Sequence, residues 1–482
     1  MKKFWFYGLI WVLALAMFCG MASCGEKTPS KPDDSESESG TVEEKPDFGD
    51  YTFTVMTEDC PFQNTQFDCE EYTIAVIDSA LYTRNRGLEE TYHLRIVEKP
   101  VGIGTPNDLL KTDIFGGVYT YDLVFGMANY SFNGITEGYY RDLNEVKSLD
   151  LSATCWDQNA GKDLSIKNRL FCTVGDLHCG GFDMVSVLLL NEDLWRSLGL
   201  EEDPRQLALS GDWTFEKMDT MVKGAAADLD GIDNELSLVD RYGVSSTTAI
   251  FTNLMVGAGQ KFFTKNSEDI PEFSAGTDAF SNVYSSMLRM ITKSDSYILN
   301  DQNDTYRDSF NSGKALFMGG IICDLNNAKL RDSKIDYSPL PLPKYSTTQT
   351  RYYSAVNFQA EVMYMPIGKD VDRTGKITQL ICEASTGTLR SHYYEEVLKI
   401  QRVKDGVAAS LVDLIYNTRC YDIGLICLWG NVRSVFNNTL AGSFSETGLG
   451  YFAQVYGTSA TTERDAFIQA FEEMLQKQAD NQ

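Results

Sequence analysis

The chain has 482 residues, a formal net charge of -26, 43% hydrophobic residues and 11 cysteines. A surface this acidic repels nucleic acid and anionic polymers, which excludes nucleic acid as a partner. The length suits two or three domains at ~150 residues each, with ample apolar content for large cores.

Lys2 and Lys3 precede an apolar run over 4–18, and Gly20-Met21-Ala22-Ser23-Cys24 follows. This pattern predicts a secretory signal, the run being short for the ~30 Å hydrocarbon core of a membrane. The Met21-to-Cys24 ending resembles a bacterial lipobox, with Met21 where Leu is usual. That resemblance implies a signal peptide over 1–23, Cys24 as the lipidated first residue, and attachment to the outer face of the cell membrane by lipid alone. A plain signal peptide or an uncleaved anchor is the alternative. Residues 24–47 are polar and acidic, cannot bury a core, and predict a disordered tether, with the fold starting near Phe48. Without residues 1–23, and so without Lys2 and Lys3, the net charge goes from -26 to -28. Nine cysteines remain after Cys19 and Cys24, an odd number that cannot all pair. Cys60 with Cys69 and Cys420 with Cys427 are candidate bridges, and buried free thiols are the other reading.

Residues 51–57, YTFTVMT, alternate aromatic or apolar residues with threonine and predict a strand. A helix over 74–92, a strand over 93–98, a helix over 106–115 and a strand over 121–125 complete a βαβαβ pattern, hence a parallel sheet. No GxGxxG opens these helices, so the dinucleotide reading fails. The last of these strands ends at a loop of Gly126, Met127, Asn129, Tyr130, Phe132 and Asn133, amides beside aromatic faces where open α/β sheets bind ligands. Strands follow over 169–173 and 185–190, separated by a glycine-rich stretch holding Asp176 and His178. Asn191 is placed to cap a helix that Gly199 stops, and Thr214 to cap one over 214–227.

The acidic loop 228–243 carries Asp228, Asp230, Asp233 and Asp240. Against a helix-loop-helix calcium loop its glycine stands fourth rather than sixth, and Val239 takes the place of the final carboxylate. A solvated loop is therefore preferred to a metal site. Further on, residues 304–311 predict a helix closed by Gly313, and 315–318 a strand. Residues 337–343, with three prolines, predict an extended connector, and 360–365 a strand. Helices are expected over 393–401, 407–418 and 462–478, and no repeat of solenoid period occurs.

Taken together, the lipobox, YDLVFGMANYSFNGITEGYYRDL, RLFCTVGDLHCGGFDMVSVLLLNEDLW, DWTFEKM, the DLDG to DRYG loop, FNSGKALFMGG and SPLPLPKY resemble the sugar-binding class of extracellular solute-binding proteins of ABC importers, the class of maltose-binding protein. The resemblance implies an α/β, two-lobed, type II periplasmic-binding-protein-like fold, each lobe a mixed, mostly parallel sheet flanked by helices and joined by hinge strands. It implies a first lobe of 48–180 plus 341–369 and a second of 181–340 plus 370–482. It also implies a monomer that hands its solute to permease subunits, with no catalysis, cofactor or metal. By the same resemblance, Met127, Asn129, Tyr130, Asp176 and His178 face a cleft from one side, and Ser246, Phe251, Asn253, Asp324 and Trp429 from the other. Trp429 as core is its competing reading.

The ligand these residues suit is a neutral mono- or oligosaccharide, with aromatic faces for a pyranose and amides and carboxylates for its hydroxyls. Stretches 121–134, 175–184 and 315–327 hold no Lys or Arg for an anionic ligand. A peptide is the runner-up ligand. Rival functions are a glycan-active enzyme, with Asp176 and Glu361 as its carboxylates, and a surface scaffold. The sequence has no GxSxG or HExxH, and His93, His178 and His392 share no metal-ligand spacing.

Overall fold

Tyr51–Glu58 (β1) lies between Leu94–Val101 (β2) and Leu123–Met127 (β3), both parallel to it, as the βαβαβ pattern requires. The computed structural model describes residues 45–61, 63–232, 239–292, 296–299, 304–393, 406–443 and 446–480. Asp47–Gln482 forms one compact unit. The strand expected over 121–125 starts later because the Asp122 carboxylate accepts the Thr54 amide and the Tyr51 hydroxyl, so ladder pairing begins at Leu123, opposite Val55. Glu361–Tyr364 joins β3 antiparallel, and the two-residue strand Cys172–Thr173 closes this sheet.

A second sheet has the order Tyr337–Leu340, Ser186–Asn191, Ala315–Ile321, Tyr242–Ser246, Tyr297–Leu299. Among the described residues each large sheet has two parallel and two antiparallel pairings, so both are mixed. The Asn191 and Thr214 caps form as expected, each side chain accepting an amide of its helix's first turn. A hairpin of Phe263–Lys265 and Pro271–Phe273 was not foreseen; Asn266 Oδ1 turns it by accepting the Glu268 and Ile270 amides.

The chain passes between the sheets at other places than expected. The amide of Asn357 donates to Met184 O, Val185 bridges Val356, and Ser354–Ala355 pairs with Arg419–Cys420. The return to the first lobe thus falls near 354–357 rather than at Pro341, whose carbonyl accepts the Trp213 indole inside the second lobe. The next departure is also later than Lys369. Helix Val371–Ser385 packs on Val76–Tyr92, with Arg373 over the Tyr51 ring and the Thr374 hydroxyl on Asp122. The expected helix over 393–401 lies almost wholly outside the described residues.

The last helix, Glu446–Asp480, is longer than the expected 462–478. It serves both lobes. Phe452 packs against Phe262 and Phe436 of the second, while Phe467 meets Phe132 and Phe471 meets Phe171 of the first. All nine cysteines beyond Cys24 are free thiols, so neither candidate bridge forms.

Candidate functional site

The carboxyl ends of β1 and β3 build a shelf. Buried Glu58, last residue of β1, accepts the Gly104 and Met127 amides at 3.2 Å each, and burial pushes its carboxyl up to about 7. Beyond Met127 the Ala128 amide donates to Ala360 O (2.9 Å) and the Asn129 amide to Phe358 O (3.0 Å), so the loop is stitched to the hinge segment. A Cβ at Gly126 would collide with Ser131, which explains the glycine at the strand's end. Asn107 Nδ2 donates to Tyr130 O (3.1 Å), and the Tyr130 ring lies against Gly104, whose φ of +75° needs glycine. Tyr130 is 46% exposed, and Asn129 Oδ1 is buried with no hydrogen-bond partner among the described residues. Met127 itself is fully buried, so its place on this shelf is through its backbone.

The second lobe faces the hinge with other residues than those expected. Tyr242–Ser246 ends at a half-buried stretch, Thr247, Thr248 and Ala249, before helix Ile250–Gly257. Ser246 is buried against Gly319 O, Asn253 is half-buried, and Phe251 has no exposure at all. The Asn437 carbonyl accepts the Thr252 hydroxyl (2.7 Å), tying that helix to Val432–Ser443, and one turn earlier Arg433 sets its guanidinium 4.5 Å from the Phe358 ring centroid. Phe358 is thus held by Asn129 through its carbonyl and by Arg433 through its ring, joining both sides. Asp324 is ion-paired with Arg307 and accepts the Ile321 amide at 2.9 Å. Trp429 is 4% exposed, edge-on to Phe263 (5.2 Å) and Phe467 (5.6 Å); it is core, because two aromatic neighbours enclose it.

The first crossover is a wall. The Asp176 carboxylate accepts from the Tyr416 hydroxyl (2.5 Å), the Thr386 hydroxyl (2.7 Å) and Arg390 (3.3 Å). His178 stacks on Phe125 at 4.4 Å; its Nδ1 accepts the Gly180 amide, so Nε2 carries the proton, 3.1 Å from Thr65 O and 3.2 Å from Glu361 Oε2. Burial pushes His178 down to about 4, and burial with nearby Glu58, Asp183 and Glu98 pushes the Glu361 carboxyl well up. Asp183 accepts the Asn64 amide (2.6 Å) and the Tyr393 hydroxyl. Asp176 and Glu361 are both buried and so are not presented as an acid and nucleophile pair.

In the acidic loop, Asp228, Asp230 and Asp240 bring ligand atoms within 4.8 Å of one another. Asp228 Oδ1 accepts the Asp230 and Gly231 amides and Asp240 Oδ1 the Leu229 amide, so these oxygens serve the turn itself. Asp233 and Cys24 lie outside the described residues.

Sequence reasoning placed Asn129 and Tyr130 on the shelf and missed Glu58, Gly104, Phe358, Arg433 and the stretch 247–249. An acid closing strand 51–58 and the GIGTP turn after β2 were the available signals; nothing in the sequence marks Phe358.

No protein-family model and no curated protein sequence matches the chain. Solved structures do. MalE, the sugar-binding protein of Xanthomonas citri, is 12% identical with a TM-score of 0.59, covering 87% of this chain and 99% of its own. UspC of M. tuberculosis is 15% identical with a TM-score of 0.58, covering 85% and 100%. The maltose/maltodextrin-binding domain MalE of Bdellovibrio bacteriovorus, bound to maltotriose, is 14% identical with a TM-score of 0.52, covering 86% and 99%. The expected two-lobed, maltose-binding-protein-like α/β fold is the fold of this chain.

Proposed function

We propose that the chain captures a neutral carbohydrate between its two lobes and delivers it to the membrane subunits of an ABC importer, tethered outside the membrane by a lipid on Cys24. The observation that carries this reading is the shelf at the end of β3. Its backbone is pinned to the hinge at Phe358, and it carries a half-exposed tyrosine ring beside a buried amide oxygen that has no hydrogen-bond partner among the described residues. An aromatic face and an amide acceptor are what a pyranose needs for its apolar side and its hydroxyls. The fold neighbours add support, since one of them holds maltotriose. Contacts made to both lobes at once favour a closed arrangement, which gives such a cleft its means of retaining solute.

Isothermal titration with maltose, maltotriose and other neutral glycans tests the reading. At least one glycan should bind, and Asn129→Ala with Tyr130→Ala should abolish the signal while the melting curve stays unchanged. Micromolar peptide affinity with no glycan response would replace sugar by peptide. The tether is tested separately: Cys24→Ala should abolish labelling by a radioactive fatty acid, and persistent labelling would refute it.

A further inference from the structure

A cavity of about 450 Å³ opens between helix Gln158–Leu164 of the first lobe, the Phe263–Phe273 hairpin region of the second, and the hinge residues Arg351, Tyr353, Arg419 and Cys420. Its walls differ sharply from the rest of this acidic chain. Five cations line it, Lys162, Lys261, Lys265, Arg351 and Arg419, against two carboxylates, Asp163 and Asp269.

Three of the cations are occupied. Lys261 pairs with Asp163 at 2.7 Å, Lys265 with Asp269 at 2.9 Å, and Arg419 with Asp157 at 3.0 Å. Lys162 and Arg351 have no carboxylate partner among the described residues; Arg351 donates to Tyr352 O and to Asn159 Oδ1, each at 3.3 Å, and lies over the Tyr353 ring. Lys162 stands on the first lobe and Arg351 on the hinge segment, both exposed at the cavity's walls. In a chain of net charge -26, an excess of cations around one cavity attracts an anion.

We propose that this cavity is a binding site for a small polyanionic molecule, a phosphate ester or a polycarboxylate, held by Lys162 and Arg351 with Lys265 beside them. The size is that of a small-molecule site, larger than a single inorganic ion needs. The site is independent of the sugar reading, since none of its lining residues belongs to the shelf.

Titration of the full chain with pyrophosphate and with citrate, each at ionic strength matched with sodium chloride, tests it. The expected result is one bound anion per chain, weakened at least tenfold in the Lys162→Ala, Arg351→Gln double variant. Binding of pyrophosphate alone assigns the site to phosphates, and of citrate alone to carboxylates. No binding of either, or equal binding by the double variant, overturns the proposal. Both substitutions are exposed, and an unchanged melting temperature without anion shows that the variant is folded. A rise in melting temperature with pyrophosphate in the parent only is the second readout.

Discussion

On the first lobe Tyr130 is half exposed and Asn129 keeps a carbonyl oxygen without a partner among the described residues, whereas on the second Phe251 is fully buried, Asp324 is ion-paired and Trp429 is wedged between two phenylalanines. The two sides carry similar residue types, aromatics with amides or carboxylates. What separates them is whether neighbouring side chains have already met their needs. A carboxylate beside Arg307 or an indole between Phe263 and Phe467 has little left to offer a solute. A tyrosine whose backbone is fixed by Asn107 and whose ring rests on Gly104 stays half exposed.

That contrast breaks down if substitutions on the two sides behave alike. Trp429→Ala should lower unfolding stability most, by ~3–5 kcal/mol, because it empties a packed aromatic cluster. Urea denaturation measures this, and a loss below 1 kcal/mol would return Trp429 to the cleft. Asp176→Ala should cost about 3 kcal/mol, since it leaves the Tyr416 and Thr386 hydroxyls and Arg390 without their acceptor.

Glu361→Gln sharpens the contrast through pH. Burial keeps the Glu361 carboxyl protonated, so the folded state holds a proton that the unfolded chain releases above its ordinary value of 4.5. The stability tied to that proton is complete below this value and is lost as pH rises toward the folded pKa. The glutamine variant should therefore match the parent near pH 4 and be more stable than it at pH 8. Melting curves at the two pH values decide it, and an equal difference at both would remove the buried acid from the account. Tyr130→Ala should move stability least, within ~0.5 kcal/mol, while weakening glycan binding about tenfold. Calorimetry showing unchanged affinity would take the ring off the shelf.

The parallel core of the first sheet was legible because β1, β2 and β3 each show a short apolar run bounded by helical patterns. Strand Tyr242–Ser246 was not; its sequence YGVSS is short and small, and it follows an acidic loop that drew the reading toward a turn. Helix Ile250–Gly257 escaped for the opposite reason, being buried on nearly all sides and so lacking a polar face to set its period. At the site, Asn129 and Tyr130 could be placed from the break after an apolar strand. Asp176 and His178 look the same in sequence whether solvated or walled in, since Tyr416, Thr386 and Arg390 come from more than 200 positions away. Phe358 sits where it does because Asn129 and Arg433 come to it from opposite directions along the chain.

The helix Glu446–Asp480 is translated after every described strand of both sheets, and both lobes lean on it. Until it is made, Phe132 and Phe171 on one side and Phe262 and Phe436 on the other lack their covering aromatics. Neither lobe can reach its final packing as a growing chain, however early its own strands are translated. Completion of both lobes waits on this one helix, so a truncation that removes Glu446–Asp480 harms both halves together.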